Sequence, residues 1–408
     1  MTRIVLALLG ATMLAGCAGT MSAPVAQSQA PGVQPAQSFD AGEPQDVRLT
    51  MPPASVTPAD LDVLFWNDAE RSARFRDMES WFPGREVPTA SVRRRWPKGA
   101  PLTEPTRRAI ARFMEETNSA GVMVLEGGSM RHEAYGLGMT PQDRWTSFSV
   151  AKSFTSTLLG AALKDGAIAS LDDPVVRYIP EMAGSAYENV TVRQVATMTS
   201  GIRWNESYTD PKSDVAMMAS IVAAPGENAI VTQLKSLPRE APAGEKFVYK
   251  TGETNLLGVL VERATGRSLA DYAKDKIVDP AGFASPMFWM IDPSGANIGG
   301  CCLSLTLHDY ARMGQFVLDG GNGAVPDRWF DEAGAEQVSF GGTGFGYGYQ
   351  WWTYPGTGFG AQGIFGQAIT ILPDEKLVVA AIGNWSTATS TENRRKWQEL
   401  VERIASER

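Results

Sequence analysis

The chain is nearly without histidine. Two occur in 408 residues, His132 and His308. Neither has a neighbouring set of metal ligands, so no metal site and no cofactor is expected. A Ser-His-Asp triad stays arithmetically open, but His308 falls in the first turn of a helical pattern and reads as a surface or capping residue. Cysteine is scarce too, with Cys17, Cys301 and Cys302. Adjacent cysteines rarely bridge, because the required geometry strains the peptide between them. A disulfide framework is therefore excluded, and the pair reads as two small buried hydrophobes. Positive charge is also short: 37 Lys and Arg face 45 Asp and Glu, a net charge of −8. No basic excess exists to displace counterions, which excludes nucleic acid as a general partner. The one basic run, "SVRRRWPKG" at 91–99, reads as a solvated patch. No internal repeat is visible.

What is present is the composition of a globular enzyme, 43% hydrophobic and 20% charged. The start stands apart. Arg3, an apolar stretch and then small residues make a secretory signal over 1–16, too short to span a bilayer. Its end, Leu14 to Cys17, resembles the lipobox of bacterial lipoproteins, which implies cleavage before Cys17 and acylation of its thiol; a plain secretory signal is the alternative. Acyl chains would anchor the protein to a membrane. Ala18 in place of Asp resembles outer-membrane sorting, facing the periplasm. Residues 17–55 are Ala, Pro, Gln, Ser and Gly, a flexible tether. The folded domain is expected over 56–408.

Within it, Thr103 caps a helical run, and "AGVMVLEGG" and "SMRHEAYGLG" read as strands joined by a Gly-Gly turn. Residues of about 165–300 are mainly helical, without sustained alternation. The C-terminal third turns to strands, "YGYQWWTY", "GAQGIFGQAITILP" and "KLVVAAIGNW", and closes on the helix "TENRRKWQELVERIA". Strands at both ends and helices between predict an α/β protein of the α+β type. Its antiparallel sheet is built from N- and C-terminal segments and flanked by helices, with a helical region inserted.

One charge is conspicuous by isolation. Between Arg144 and Lys164 the only ionisable residue is Lys152, in "RWTSFSVAKSFTSTLLGAALK". Ser149 lies three residues before it, on the same face of a helix. A lysine in apolar surroundings loses hydration and its pKa falls; the helix dipole lowers it further. A neutral amine beside a hydroxyl is a general base beside a nucleophile. The alternative is a Lys152 that snorkels to solvent and a Ser149 that merely caps.

The segment from Ser147 to Met182, with "VTVRQVATMTSGIRWNESYTDP", "HDYARMG", "YGYQWW" and "GIFGQAITILPDEKLVVAAIGN", resembles the serine β-lactamase and penicillin-binding-protein superfamily, in particular its 6-aminohexanoate-dimer hydrolase branch. The likeness runs over about 58–405. It implies a β-lactamase-like fold and an acyl-enzyme on Ser149, with Lys152 as base and Tyr249 passing a proton to the leaving group. The oxyanion hole would be the amides of Ser149 and Ile364. Tyr249 fits the Tyr-x-Asn motif, but Thr251 replaces the Asn and Lys250 stands where a small residue is usual. "KTG" at 250–252 is a decoy, lying before a helix. The inner strand that fits the third motif carries Ala361, Gln362 and Gly363 in place of Lys-Thr-Gly, so the cation that binds penicillin carboxylates is missing. Tyr208 matches a ligand-contacting loop residue, or simply packs. Trp351 and Trp352 are candidates to line an apolar pocket, with core packing the alternative for at least one.

The resulting expectation is a serine hydrolase of small esters or linear amides. A β-lactamase or D-alanyl carboxypeptidase is the second reading, and a non-catalytic lipid-tethered binding or sensor protein the third. The substrate and the oligomeric state are left open.

Overall fold

The computed structural model describes residues 47–407. The expected signal 1–16, Cys17 and most of the tether lie outside the described residues. Arg48–Thr50, counted with the tether above, forms a strand (β1) that pairs with β2, Gly84–Val87.

Two antiparallel sheets carry the domain. The larger has eight strands in the order β4-β3-β13-β12-β11-β10-β9-β8. These are β3 (Ser119–Glu126), β4 (Ser129–Tyr135), β8 (Val338–Ser339), β9 (Gly346–Tyr347), β10 (Trp352–Thr353), β11 (Phe359–Gln362), β12 (Ala368–Leu372) and β13 (Leu377–Gly383). β3 and β4 turn on Gly127 and Gly128, both at positive φ. N-terminal β3 pairs with C-terminal β13, Val124 opposite Val379, so the sheet joins the two ends of the domain as expected.

Both faces of the sheet are covered at its centre, which explains why β3 and β13 are buried along their length instead of alternating. Val122, Val124, Val379 and Ala381 face helices α1 (Glu104–Glu116) and α5 (Thr391–Ala405), against Phe113, Trp397, Leu400 and Ile404. Each such side chain contributes roughly 1.5–3 kcal/mol on burial. Their neighbours Met123, Leu125, Val378, Ala380 and Ile382 face the main core with α2 (Ala151–Lys164), α3 (Thr251–Thr265) and α4 (Leu307–Leu318). Thr306 caps α4 by accepting from Asp309 N, and His308 pairs with Glu133 at 2.7 Å.

The second sheet was not legible as such. It has five short strands, β1-β2-β6-β7-β5, where β5 is Arg144–Thr146, β6 Met287–Met290 and β7 Leu303–Thr306. Its pieces are scattered from 48 to 306, and β6 lies inside the stretch expected to be helical.

α2 is buried all round: every residue from Ala151 to Ala162 is inaccessible. Its hydroxyls are satisfied in place, Thr155 on Gly299 O (2.7 Å), Ser153 on Gln350 O (2.8 Å) and Thr157 on Ser153 O (2.8 Å). The adjacent cysteines lie in the bend before β7, Cys302 buried and Cys301 half-buried against the main core, and Cys301 N donates to Ile298 O at 3.3 Å.

Candidate active site

β5 delivers the chain to the site. Its exit is clamped to β7 through Ser147, whose amide donates to Leu303 O (2.7 Å) and whose Oγ accepts from Leu303 N (2.8 Å). Phe148 follows at φ 42, in the left-handed region that costs a side chain energy. That turn aims the next residue outward. From Trp145 to Ala162, Ser149 is the one residue that is not buried.

Lys152 is 1% exposed and does not snorkel. Its Nζ lies 3.1 Å from Ser149 Oγ, 3.0 Å from Thr251 Oγ1 and 2.8 Å from Gly300 O. Burial lowers its pKa to about 8, against a smaller upward pull from Glu206. The three contacts are not equivalent. Gly300 O can only accept. Thr251 Oγ1 donates its proton to Glu206, so it too accepts from Lys152. A neutral amine has two N–H bonds and one lone pair; the two acceptors use the N–H bonds, and the lone pair is left facing Ser149. The environment thus eases loss of the proton and sets the direction of the lone pair that results.

Gly300 reaches this position because it has no side chain. A Cβ there would lie 2.9 Å from Thr251 O and from Asn255 Oδ1, and Asn255 Oδ1 accepts from Gly300 N at 2.7 Å. Thr251 and Asn255, one turn apart on α3, share the work of holding Lys152. The replacement of the motif's Asn therefore leaves the lysine fully bonded.

Tyr249 completes the cluster. Its ring lies 5.2 Å from Lys152 Nζ, and the Ser149 hydroxyl partly opposes the rise in its pKa. Burial first, and the Glu206 charge second, raise its pKa, so it is a neutral donor. The ring stacks on Trp352, 5.5 Å between centroids. Trp351 is a correction: it is wholly buried between Phe330 and Phe359 and lies in the core. Consecutive residues at a strand point to opposite faces, so only one of the tandem tryptophans can face the site.

The second backbone segment is the end of β11. Ile364 follows Gly363, whose added Cβ would sit 2.6 Å from Ser147 O. Only glycine allows β11 to approach the Ser149 turn this closely. Phe365, next along, is left-handed at φ 59. Its ring meets Phe148 at 5.4 Å, and both meet Phe75, at 5.5 and 4.9 Å. The two strained turns that present the Ser149 and Ile364 amides are thus locked by one buried aromatic trio. Neither amide is engaged by a backbone carbonyl among the described residues. Ala361 is buried, and Gln362 donates to Tyr354 at 2.8 Å, so β11 presents no cation.

Glu206 is the residue that sequence reading passed over. Its Oε1 accepts from Tyr208 (2.9 Å) and from Thr251 Oγ1; its Oε2 accepts from Thr251 N (2.9 Å) and from Trp204 Nε1. Tyr208 therefore stands beside the cluster, held through Glu206. An acid inside the polar loop "NESYTDP" looks solvated, and only the four converging donors reveal it.

The Beta-lactamase family model matches residues 106–402. The chain belongs to the β-lactamase family. Within this family the 6-aminohexanoate-dimer hydrolase of Paenarthrobacter ureafaciens is 30% identical over 334 residues, 74% of this chain and 83% of that one. A candidate 6-aminohexanoate-dimer hydrolase from Bacillus anthracis superposes with a TM-score of 0.73 at 21% identity, covering 87% and 98% of the two chains. A class C β-lactamase from Rhodobacter sphaeroides gives 0.58 at 18%, covering 74% and 100%. The β-lactamase-like fold and a serine-hydrolase superfamily membership follow. This member of the β-lactamase family departs from the motifs described above at Lys250, Thr251, Ala361 and Gln362.

Proposed function

We propose that the protein hydrolyses small esters or linear amides through an acyl-enzyme on Ser149. The observation that supports this best is the direction of the Lys152 lone pair: two obligate acceptors take its N–H bonds and Ser149 takes what remains. Ser149 Oγ attacks the substrate carbonyl and its proton passes to Lys152. The carbonyl oxygen becomes an oxyanion between the amides of Ser149 and Ile364. Tyr249 donates its proton to the leaving alcohol or amine and recovers one from Lys152. Water then attacks the acyl-enzyme by the same path in reverse. Tyr208, Trp352 and Gly363 border the acyl and leaving-group positions. The absence of a cation on β11 favours substrates other than penicillins, and the likeness to the 6-aminohexanoate-dimer hydrolase supports linear amides among them. The expected signal and Cys17 would hold this chemistry on a membrane facing the periplasm.

The test is labelling with a fluorophosphonate, followed by a panel of short-chain nitrophenyl esters, linear amides and nitrocefin. Labelling that disappears in Ser149→Ala, with ester turnover exceeding nitrocefin turnover, is expected. Folded protein that takes no label would leave a binding protein; nitrocefin as the best substrate would leave a β-lactamase.

A further inference from the structure

The Ile364 amide is half of a peptide group whose other half is the Gly363 carbonyl. That carbonyl accepts a hydrogen bond from Arg394 Nη2 at 3.4 Å. Arg394 is oddly placed. It lies in the first turn of α5, the end of a helix dipole that disfavours a cation. Its neighbours pair with carboxylates, Arg395 with Glu399 and Lys396 with Glu116 and Glu392, whereas Arg394 has no carboxylate partner among the described residues. It turns inward instead, 4.8 Å over the Trp385 ring, with Nη1 sealed from solvent and unpartnered. Desolvation lowers its pKa to about 10, and its charge in turn lowers that of Tyr249. An unpaired guanidinium held this way costs stability, which asks what the charge is for.

We propose that Arg394 is a positioning residue for the oxyanion hole: by donating to the Gly363 carbonyl it fixes and polarises the Gly363–Ile364 peptide, making the Ile364 N–H a stronger donor to the oxyanion. This rests on the hydrolase reading above. A hydrogen bond to the C=O of an amide strengthens the N–H of the same amide, and a cation behind it stabilises charge developing in front. When Ser149 Oγ bonds to the carbonyl carbon, the C=O π pair moves to oxygen and the serine proton to Lys152; the new negative charge then lies across one peptide from the guanidinium. Gln367 steadies the same segment. Its Nε2 donates to Ile364 O and to Gly383 O, each at 3.0 Å, and its Oε1 accepts from Gly383 N at 2.8 Å. The sealed Nη1 argues against the other use of such a cation, a clamp for a substrate carboxylate in the open cleft.

The experiment compares full-length wild type, Arg394→Gln and Arg394→Lys on neutral nitrophenyl esters, with a phenylboronic acid as a stable tetrahedral adduct. Arg394→Gln is expected to lose about tenfold in kcat, less than the 10²–10³ for deleting an oxyanion donor outright. KM should stay within about twofold, and boronate affinity should weaken by the same factor as kcat. Arg394→Lys should recover most of both. If Arg394→Gln does not fold, Arg394→Met, which keeps an apolar stem over the Trp385 ring, carries the test, with kcat and boronate affinity falling together and KM unmoved. An active, labelled wild type whose folded variants keep full kcat and boronate affinity overturns the proposal alone. So does a loss confined to esters that carry a carboxylate. A wild type that neither turns over esters nor labels at Ser149 removes the hydrolase reading beneath it.

Discussion

Two lysines in this protein are equally buried and do opposite things. Lys152 is 1% exposed and Lys250 is 0% exposed. Desolvation lowers the pKa of both. Each sits three residues from a polar partner, Lys152 after Ser149 and Lys250 before Glu253. Lys250, however, faces the Glu253 carboxylate at 3.8 Å and donates to Val248 O at 3.2 Å. Glu253 in turn accepts from Tyr187 (3.0 Å) and Ser200. Lys152 meets only neutral oxygens directly. Burial alone therefore does not make a base. A carboxylate turns a buried ammonium into half of an ion pair, whereas two neutral acceptors and a hydroxyl turn it into a directed lone pair.

The sharpest way to break that comparison is to remove the amine. Lys152→Met keeps the apolar volume and deletes the base. We expect kcat on a nitrophenyl ester to fall by about 10³–10⁴, the upper range for a general base whose nucleophile depends on it. Folding should survive, since Gly300 O and Thr251 Oγ1 lose only a donor. Circular dichroism and active-site labelling read the two effects separately. A Lys152→Met protein with near-normal turnover would mean that the lone-pair geometry is idle.

Lys250→Met should show the converse. It strips the partner from a wholly buried carboxylate, and breaking such a pair typically costs about 3–5 kcal/mol. Urea unfolding should register that loss, while kcat per labelled site stays near wild type. Adding Glu253→Gln should restore much of the stability, because the second change removes the charge left stranded. Stability that drops further in the double variant would show that the two side chains are not coupled.

How far all this was legible depends on which atoms do the work. The joining of N- and C-terminal strands in one sheet, the helix start at Thr103 and the Ser149–Lys152 spacing were readable, because periodicity, helix starts and helical spacing are local signals, although the Thr103 side chain makes no capping bond. The five-stranded sheet was not: β1, β2, β5, β6 and β7 are three or four residues each, below the length at which alternation can be told from chance. In the site, Ser149, Lys152 and Tyr249 come together as expected, and the proposed chemistry rests on their side chains. Gly300 acts through a carbonyl and Glu206 through an acid in a polar loop, so neither leaves a mark that sequence spacing can isolate. Trp351 misled because tandem tryptophans look alike until strand geometry decides which face each takes.

The smallest expected effect sharpens the comparison most, because it tests the charge that Lys152 does feel. Lys152 must be neutral to act as base, so kcat/KM should rise with pH through about 8 and level off above it. Glu206 is the carboxylate whose field raises that pKa. Glu206→Gln removes the charge and keeps an oxygen for the Thr251 hydroxyl, so the ammonium becomes harder to hold and its pKa drops. The rising limb of the pH–rate profile should then shift toward lower pH. The plateau should fall as well, because the amide nitrogen now at the Oε2 position cannot accept, and both Thr251 N and Trp204 Nε1 lose their acceptor. A limb that stays in place would mean that Glu206 orients Thr251 without tuning the base. A limb that moves upward would contradict the assignment of Lys152 as the titrating group, since no loss of negative charge near an amine can make it easier to protonate.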